Sequence, residues 1–128
     1  LHSSKSKLNK YTFENPTINS SGYPSFYPDI DDLYAVRTKT GKTKMISCHQ
    51  YVMCKSLGRK LKKWEHIHHI DMTRTNYDIS NLYLCTSENH QAAHDSFNRC
   101  CKDLMIYGGK IKFNKETGKY FLINKEAR

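Results

Sequence analysis

Apolar residues in this chain fall in short runs separated by polar, turn-forming stretches, and the spacing within each run predicts its element. Leu33-Tyr34-Ala35-Val36-Arg37 and Thr43-Lys44-Met45-Ile46 flank Thr40-Gly41-Lys42, two short strands around a glycine turn. Ser47 suits the N-cap of a helix over residues 48–56, with Tyr51, Val52, Cys54 and Leu57 as its apolar face and Gly58 as its stop. Trp64, Ile67 and Ile70 alternate with polar residues as in a strand. A polar loop over residues 71–80 follows, where Asn76 and Asp78 suit tight backbone. Asn81-Leu82-Tyr83-Leu84 is a second strand. Thr86 or Ser87 then caps a helix with Glu88 in its first turn, where a negative charge opposes the helix dipole favourably. That helix runs to Ile106 and stops at Gly108-Gly109. Ala92, Ala93, Phe97, Cys100, Cys101, Leu104 and Met105 supply its buried side. Lys110-Ile111-Lys112-Phe113 and Lys119-Tyr120-Phe121-Leu122-Ile123 close the chain as a hairpin around Glu116-Thr117-Gly118.

Residues 1–30 behave differently. They hold all three prolines (Pro16, Pro24, Pro28) and show little apolar periodicity, so they read as an extended basic arm or an irregular segment. The expectation is an α+β chain: the arm over 1–30, then a single domain over 31–128. A length of 128 residues fits one domain with a modest core. No apolar run approaches a membrane span. No charged region followed by an apolar one opens the sequence, so the expected location is cytoplasmic. Five cysteines at irregular spacing, with no C-x-x-C pair, suit free thiols in a reducing compartment better than a disulfide framework.

Charge changes the picture more than composition does. The net charge is +9, and nine basic residues between Leu33 and Trp64 (Arg37, Lys39, Lys42, Lys44, Lys55, Arg59, Lys60, Lys62, Lys63) meet no acidic residue. A solvated polar face usually mixes signs, so this block points to a polyanion, with nucleic acid first. Arg74 joins those nine as a candidate phosphate contact, and Lys5, Lys7 and Lys10 could follow a phosphate backbone along the arm.

Five of the seven histidines lie between Glu65 and His94. His68 and His69 are neighbours on a strand, so the pleat sends them to opposite faces. His90 and His94 are four apart on a helix and share one face. Imidazoles gathered in this way suit a divalent metal and a general base. His2 and His49 read as ordinary surface or core residues, and His66 as a neighbour of the site.

The ordered set Leu57-Gly58-Arg59-Lys60-Leu61, Trp64-Glu65-His66-Ile67-His68-His69-Ile70-Asp71, Asn76, Asn81-Leu82-Tyr83-Leu84, His90 and His94 covers roughly residues 50–95. Taken together it resembles the HNH endonucleases, the ββα-metal nuclease family, and most nearly their phage and intron-associated, homing-type branch. The resemblance implies a ββα-metal core over about residues 64–106, flanked by a hairpin and helix before it and a hairpin after it. It implies metal-dependent hydrolysis of double-stranded DNA, as a nick or a double-strand cut, leaving 5′-phosphate and 3′-hydroxyl ends. His68 and His90 would be metal ligands, with His94 a third. His69 would be the general base, and Asn81 would hold a histidine's other ring nitrogen.

One divalent ion is expected, Mg²⁺ or Mn²⁺, though imidazole ligands also accept Zn²⁺ or Ni²⁺. The protein would act as a monomer or homodimer, in a bacterial host cell if phage-encoded. The loop departs from the family pattern. Many relatives follow the Asp with Gly and Asn and carry two Asn in the loop, whereas this chain has Met72-Thr73-Arg74 and a single Asn76 before Tyr77. Two rival readings stand beside the nuclease. One is a nuclease-like fold that holds DNA without cutting it. The other is a structural zinc module built from cysteines with His90 and His94.

Overall fold

Aromatic burial organises the first third of the protein. In the computed structural model, which describes residues 11–123, β1 (Thr17–Ile18), β2 (Pro24–Phe26) and β3 (Ile46–Ser47) form an antiparallel sheet in which Ser25 lies opposite both Thr17 and Ser47. Residues 11–30 are therefore not an extended arm. Pro24, Ser25 and Phe26 are all buried, and the Phe13 ring packs on Phe26, Tyr51 and Tyr77 at centroid distances of 5.6, 5.5 and 5.7 Å. Each such ring removes on the order of 150–250 Å² from water, which outweighs the polar composition around it. Lys5, Lys7 and Lys10 lie outside the described residues.

The hairpin expected over residues 33–46 shrinks to a turn with a single bridge, Arg37 to Thr43. Lys44 N–H donates to the Val36 carbonyl at 2.7 Å, but Ile46 leaves this turn to pair with Phe26. Leu33 and Val36 are left exposed.

Helix α1 (Cys48–Leu57) follows β3 directly, with Ser47 as N-cap in extended backbone. Gly58 ends it at φ 73°, a left-handed conformation that lets its N–H reach the Cys54 carbonyl. The buried face is Cys48, Met53 and Cys54, rotated from the expected one; Tyr51 and Val52 are half-buried and Leu57 is exposed.

Strands β4 (Glu65–His69) and β5 (Leu82–Thr86) pair antiparallel, placing His68 opposite Tyr83 and His69 opposite Leu82. A single 3-10 turn, Ile79–Asn81, leads into β5. Helix α2 (Ser87–Tyr107) starts at Thr86, whose hydroxyl accepts from the Asn89 N–H at 3.3 Å, with Glu88 in the first turn. It buries Ala93, Ser96 and Cys100, while Met105, expected on the buried side, is 88% exposed. Strands β6 (Lys110–Asn114) and β7 (Lys119–Ile123) form that hairpin in the expected place.

The hairpin docks on α2 through a second cluster: Ala93, Cys100 and Tyr120, with Met72, Phe97, Ile111, Phe113 and Leu122 against them. A buried polar peg fixes the contact. Ser96 Oγ donates to the Ala93 carbonyl at 2.8 Å and accepts from the Tyr120 N–H at 2.9 Å. The described residues thus make a small α+β arrangement of two helices and three antiparallel sheets. No helix among them is long and apolar enough to cross a membrane.

Candidate functional site

The β4–β5 ribbon lies between the two aromatic clusters, and the pleat divides its adjacent histidines between them. His68 faces α2 and the closing hairpin. Its ring lies 5.2 Å from His90, 4.9 Å from His94, 5.6 Å from Phe113 and 5.7 Å from Tyr120, centroid to centroid. His69 faces the other way, 4.8 Å from His49 and 5.7 Å from Tyr23. The helical pair behaves as its spacing requires, with His90 Nε2 and His94 Nε2 3.1 Å apart and sharing a proton. A strand and a helix distant in sequence thereby aim three imidazoles at one point.

One ring nitrogen from each of His68, His90 and His94 lies within 4.8 Å of the others, a group that can hold a metal ion. Ideal tetrahedral ligation at metal–nitrogen distances of about 2.0–2.1 Å needs nitrogens roughly 3.3 Å apart. The rings therefore have to close by about 1.5 Å at most, which χ rotation supplies. His68 Nδ1 is buried and has no hydrogen-bond partner, as an unfilled ligand atom would.

Protonation favours the same chemistry. Burial, then the neighbouring His94 and His90, depress the His68 pKa to about 4, and burial followed by His94 also lowers that of His90. Both rings are neutral at pH 7, with lone pairs available. Among the described residues this cluster includes no cysteine. Burial pushes the Cys48 and Cys85 thiols up to about 11, which keeps them protonated. Among the described residues, no group placed to hold an ion joins cysteines to His90 and His94.

His69 is 7% exposed and its Nε2 has no partner. Burial lowers its pKa, partly opposed by the Asp71 carboxylate. A neutral imidazole beside the cluster but outside it has the protonation state a base requires.

Asn81 does something other than expected. Its Oδ1 accepts from the Asp71 N–H at 2.9 Å, and its Nδ2 donates to Asp71 Oδ1 at 2.9 Å and to the Asn76 carbonyl at 3.0 Å. It orients no histidine; it staples the loop that follows β4. Asp71 completes that staple, accepting from Asn76 Nδ2 at 2.7 Å and from the Thr73 N–H at 2.8 Å. Met72, where many relatives of the resembled family have Gly, sits at φ 63°. Its side chain packs on the Ala93–Tyr120 cluster, which offsets the left-handed strain.

A cleft of about 590 Å³ borders the cluster, lined by His90, His66 and Ile67, by Tyr23, Ser47 and His49, and by Lys63. The basic residues are less free than the sequence implies. Arg59 makes a two-pronged pair with Glu65 (2.7 and 2.8 Å), which holds the Glu65 carboxyl down at about 2. Arg74 lies over the Tyr23 ring and donates to the Ser21 carbonyl; Arg37 donates to the Ile30 carbonyl and Lys60 to that of Ala35. Lys55 and Lys62 lie against Tyr51 and Trp64. Lys39, Lys42 and Lys44 remain on the bridged turn.

Sequence reasoning missed His49, Tyr23 and Tyr120. Nothing in the pattern distinguishes His49 from a surface histidine. Tyr120 shows only as an inward position of β7. Compared with family models, with curated proteins and with solved structures, the chain matches none.

Proposed function

We propose that this protein is a metal-dependent endonuclease of the HNH type that hydrolyses phosphodiester bonds of double-stranded DNA, with β4, β5 and α2 as its ββα-metal unit. The observation that carries the reading is the convergence of His68, His90 and His94 while His69, on the same strand, faces away from them. Three imidazoles hold an ion and leave coordination positions free, the arrangement of a catalytic rather than a structural centre. A divalent ion there, Mg²⁺ or Mn²⁺ by preference, supplies charge neutralisation at the scissile phosphate and at the departing 3′ oxygen.

The chain's own residues do the rest. His69, uncharged at pH 7, takes the proton of the attacking water at a ring nitrogen. Asn81 and Asp71 keep the loop after His69 in one conformation and so fix the direction of the strand's end. The cleft beside His90 admits the cut strand, with Lys63 in its lining to meet a phosphate. A single site in a small domain acts on one strand at a time, so the first product is a nick.

Supercoiled plasmid incubated with the protein and Mg²⁺ or Mn²⁺ tests the assignment. The expected product is open circles, and His69→Ala slows their appearance by about 10²–10⁴-fold, the usual contribution of a general base. Undiminished nicking by that variant removes His69 from its role. Tight DNA binding without cutting under any divalent ion favours the non-catalytic module.

A further inference from the structure

We infer that Tyr120 is a positioning residue for the candidate metal centre: its phenol holds His68 in the tautomer protonated on Nε2, leaving the unprotonated Nδ1 to face the ion. This rests on the metal-binding part of the proposed function and not on the cutting of DNA.

Proton counting carries the inference. Tyr120 Oη contacts two groups, the Ile70 carbonyl oxygen and, at 2.7 Å, His68 Nε2. A carbonyl oxygen only accepts, so the single phenolic proton goes to Ile70; without it two oxygens would face each other with no hydrogen between them. The phenol oxygen then has only lone pairs to offer His68, and Nε2 must be the donor. A neutral imidazole carries one proton, so Nδ1 is bare. That atom is buried and has no hydrogen-bond partner in the protein. A bare, unsolvated nitrogen costs free energy unless something takes its lone pair, and one ring nitrogen from each of His90 and His94 lies within 4.8 Å of a ring nitrogen of His68.

The phenol is held rigidly enough for the task. Its ring packs at 5.0 Å from Phe97 and 4.8 Å from Phe113, centroid to centroid, and its backbone N–H is pinned by Ser96 Oγ. Tyr120 therefore serves His68 as the second partner of a metal-bound histidine usually does, by fixing tautomer and ring direction.

Two measurements on the intact chain test this. Nitrogen-15 histidine spectra of the metal-free protein should show His68 protonated on Nε2; protonation on Nδ1 overturns the inference without any variant. Titration with Zn²⁺ alone, by calorimetry or against a chromogenic chelator, should show binding about 10–100-fold weaker in Tyr120→Phe. The spectrum of that variant should show the two His68 tautomers mixed, which a merely structural loss would not produce. Equal or tighter Zn²⁺ binding by Tyr120→Phe means that Nε2 is the ligand atom and overturns the proposal, as does a wild-type protein that takes up no Zn²⁺. Should Tyr120→Phe not fold, the wild-type tautomer decides. If these results hold and plasmid stays uncut, the nuclease reading fails while Tyr120 keeps its role.

Discussion

Replacing Ser96 with alanine isolates the joint between α2 and the closing hairpin. Ser96 is 5% exposed, and its hydroxyl is the acceptor for the Tyr120 N–H at 2.9 Å. Without it, that N–H is buried among Ala93, Phe97 and Phe113 with no water to replace the oxygen. Orphaning a buried donor costs about 1–3 kcal/mol. Alanine's better helix propensity returns about 0.5 kcal/mol. The Ala93 carbonyl loses a donor but still has its helical partner, so it adds little. Destabilisation wins, by a net of about 1–2 kcal/mol. For a chain of this length that lowers the melting temperature by about 3–10 °C. Urea denaturation followed by far-ultraviolet circular dichroism measures it, as a lower midpoint at unchanged slope. Gln91→Ala, which breaks only the exposed Gln91–Asp95 contact, is the control and should move stability by no more than about 0.5 kcal/mol. If Ser96→Ala unfolds at the wild-type midpoint, or above it, the peg does not hold the hairpin.

Gly118→Ala should destabilise the closing hairpin by about 1–3 kcal/mol, because the new Cβ would adopt φ +71° and meet Tyr83 Oη at 3.0 Å; a wild-type melting temperature in that variant contradicts it. Acid should weaken the metal-free fold. His68 moves from 6.5 to about 4 on folding, so the unfolded chain takes up the proton first as pH falls. Stability is then full above about pH 7 and declines from about 6.5 toward 4, by about 3 kcal/mol from this ring alone, with His49 adding in the same direction. Urea midpoints at pH 7 and 4.5 that coincide would refute the shift. Saturating divalent metal should raise stability by about 2.7 kcal/mol at a hundredfold excess over Kd. Chelation or His90→Ala should abolish that gain; a melting temperature indifferent to Zn²⁺, Mn²⁺ and Mg²⁺ would mean that the three imidazoles hold nothing.

Elements carried by period and capping were legible in the sequence. Thr86 with Glu88, Gly58, and the alternation around Glu116-Thr117-Gly118 are local signals, and the elements they mark stand where expected. The histidine cluster was legible too, since strand alternation and an i,i+4 pair are local geometry. What failed depended on partners far along the chain. Phe13 and Phe26 fold the supposed arm inward because Tyr51 and Tyr77 wait for them, which prolines and serines at the same positions conceal. Ile46 abandons its turn because Phe26 offers a better neighbour. Asn81 fell to the loop because Asp71, ten residues earlier, presents both a donor and an acceptor to its amide. The basic block read as free cation, yet Glu65 lies one residue past its end and takes Arg59.

The Tyr120 contact reaches His68 across 52 positions of sequence, from the last strand described. All three histidines of the cluster leave the ribosome well before that strand does. A nascent or prematurely terminated chain therefore presents the whole ligand set with nothing to brace His68. On the role inferred for Tyr120, full ion affinity waits for the synthesis of residues 119–123.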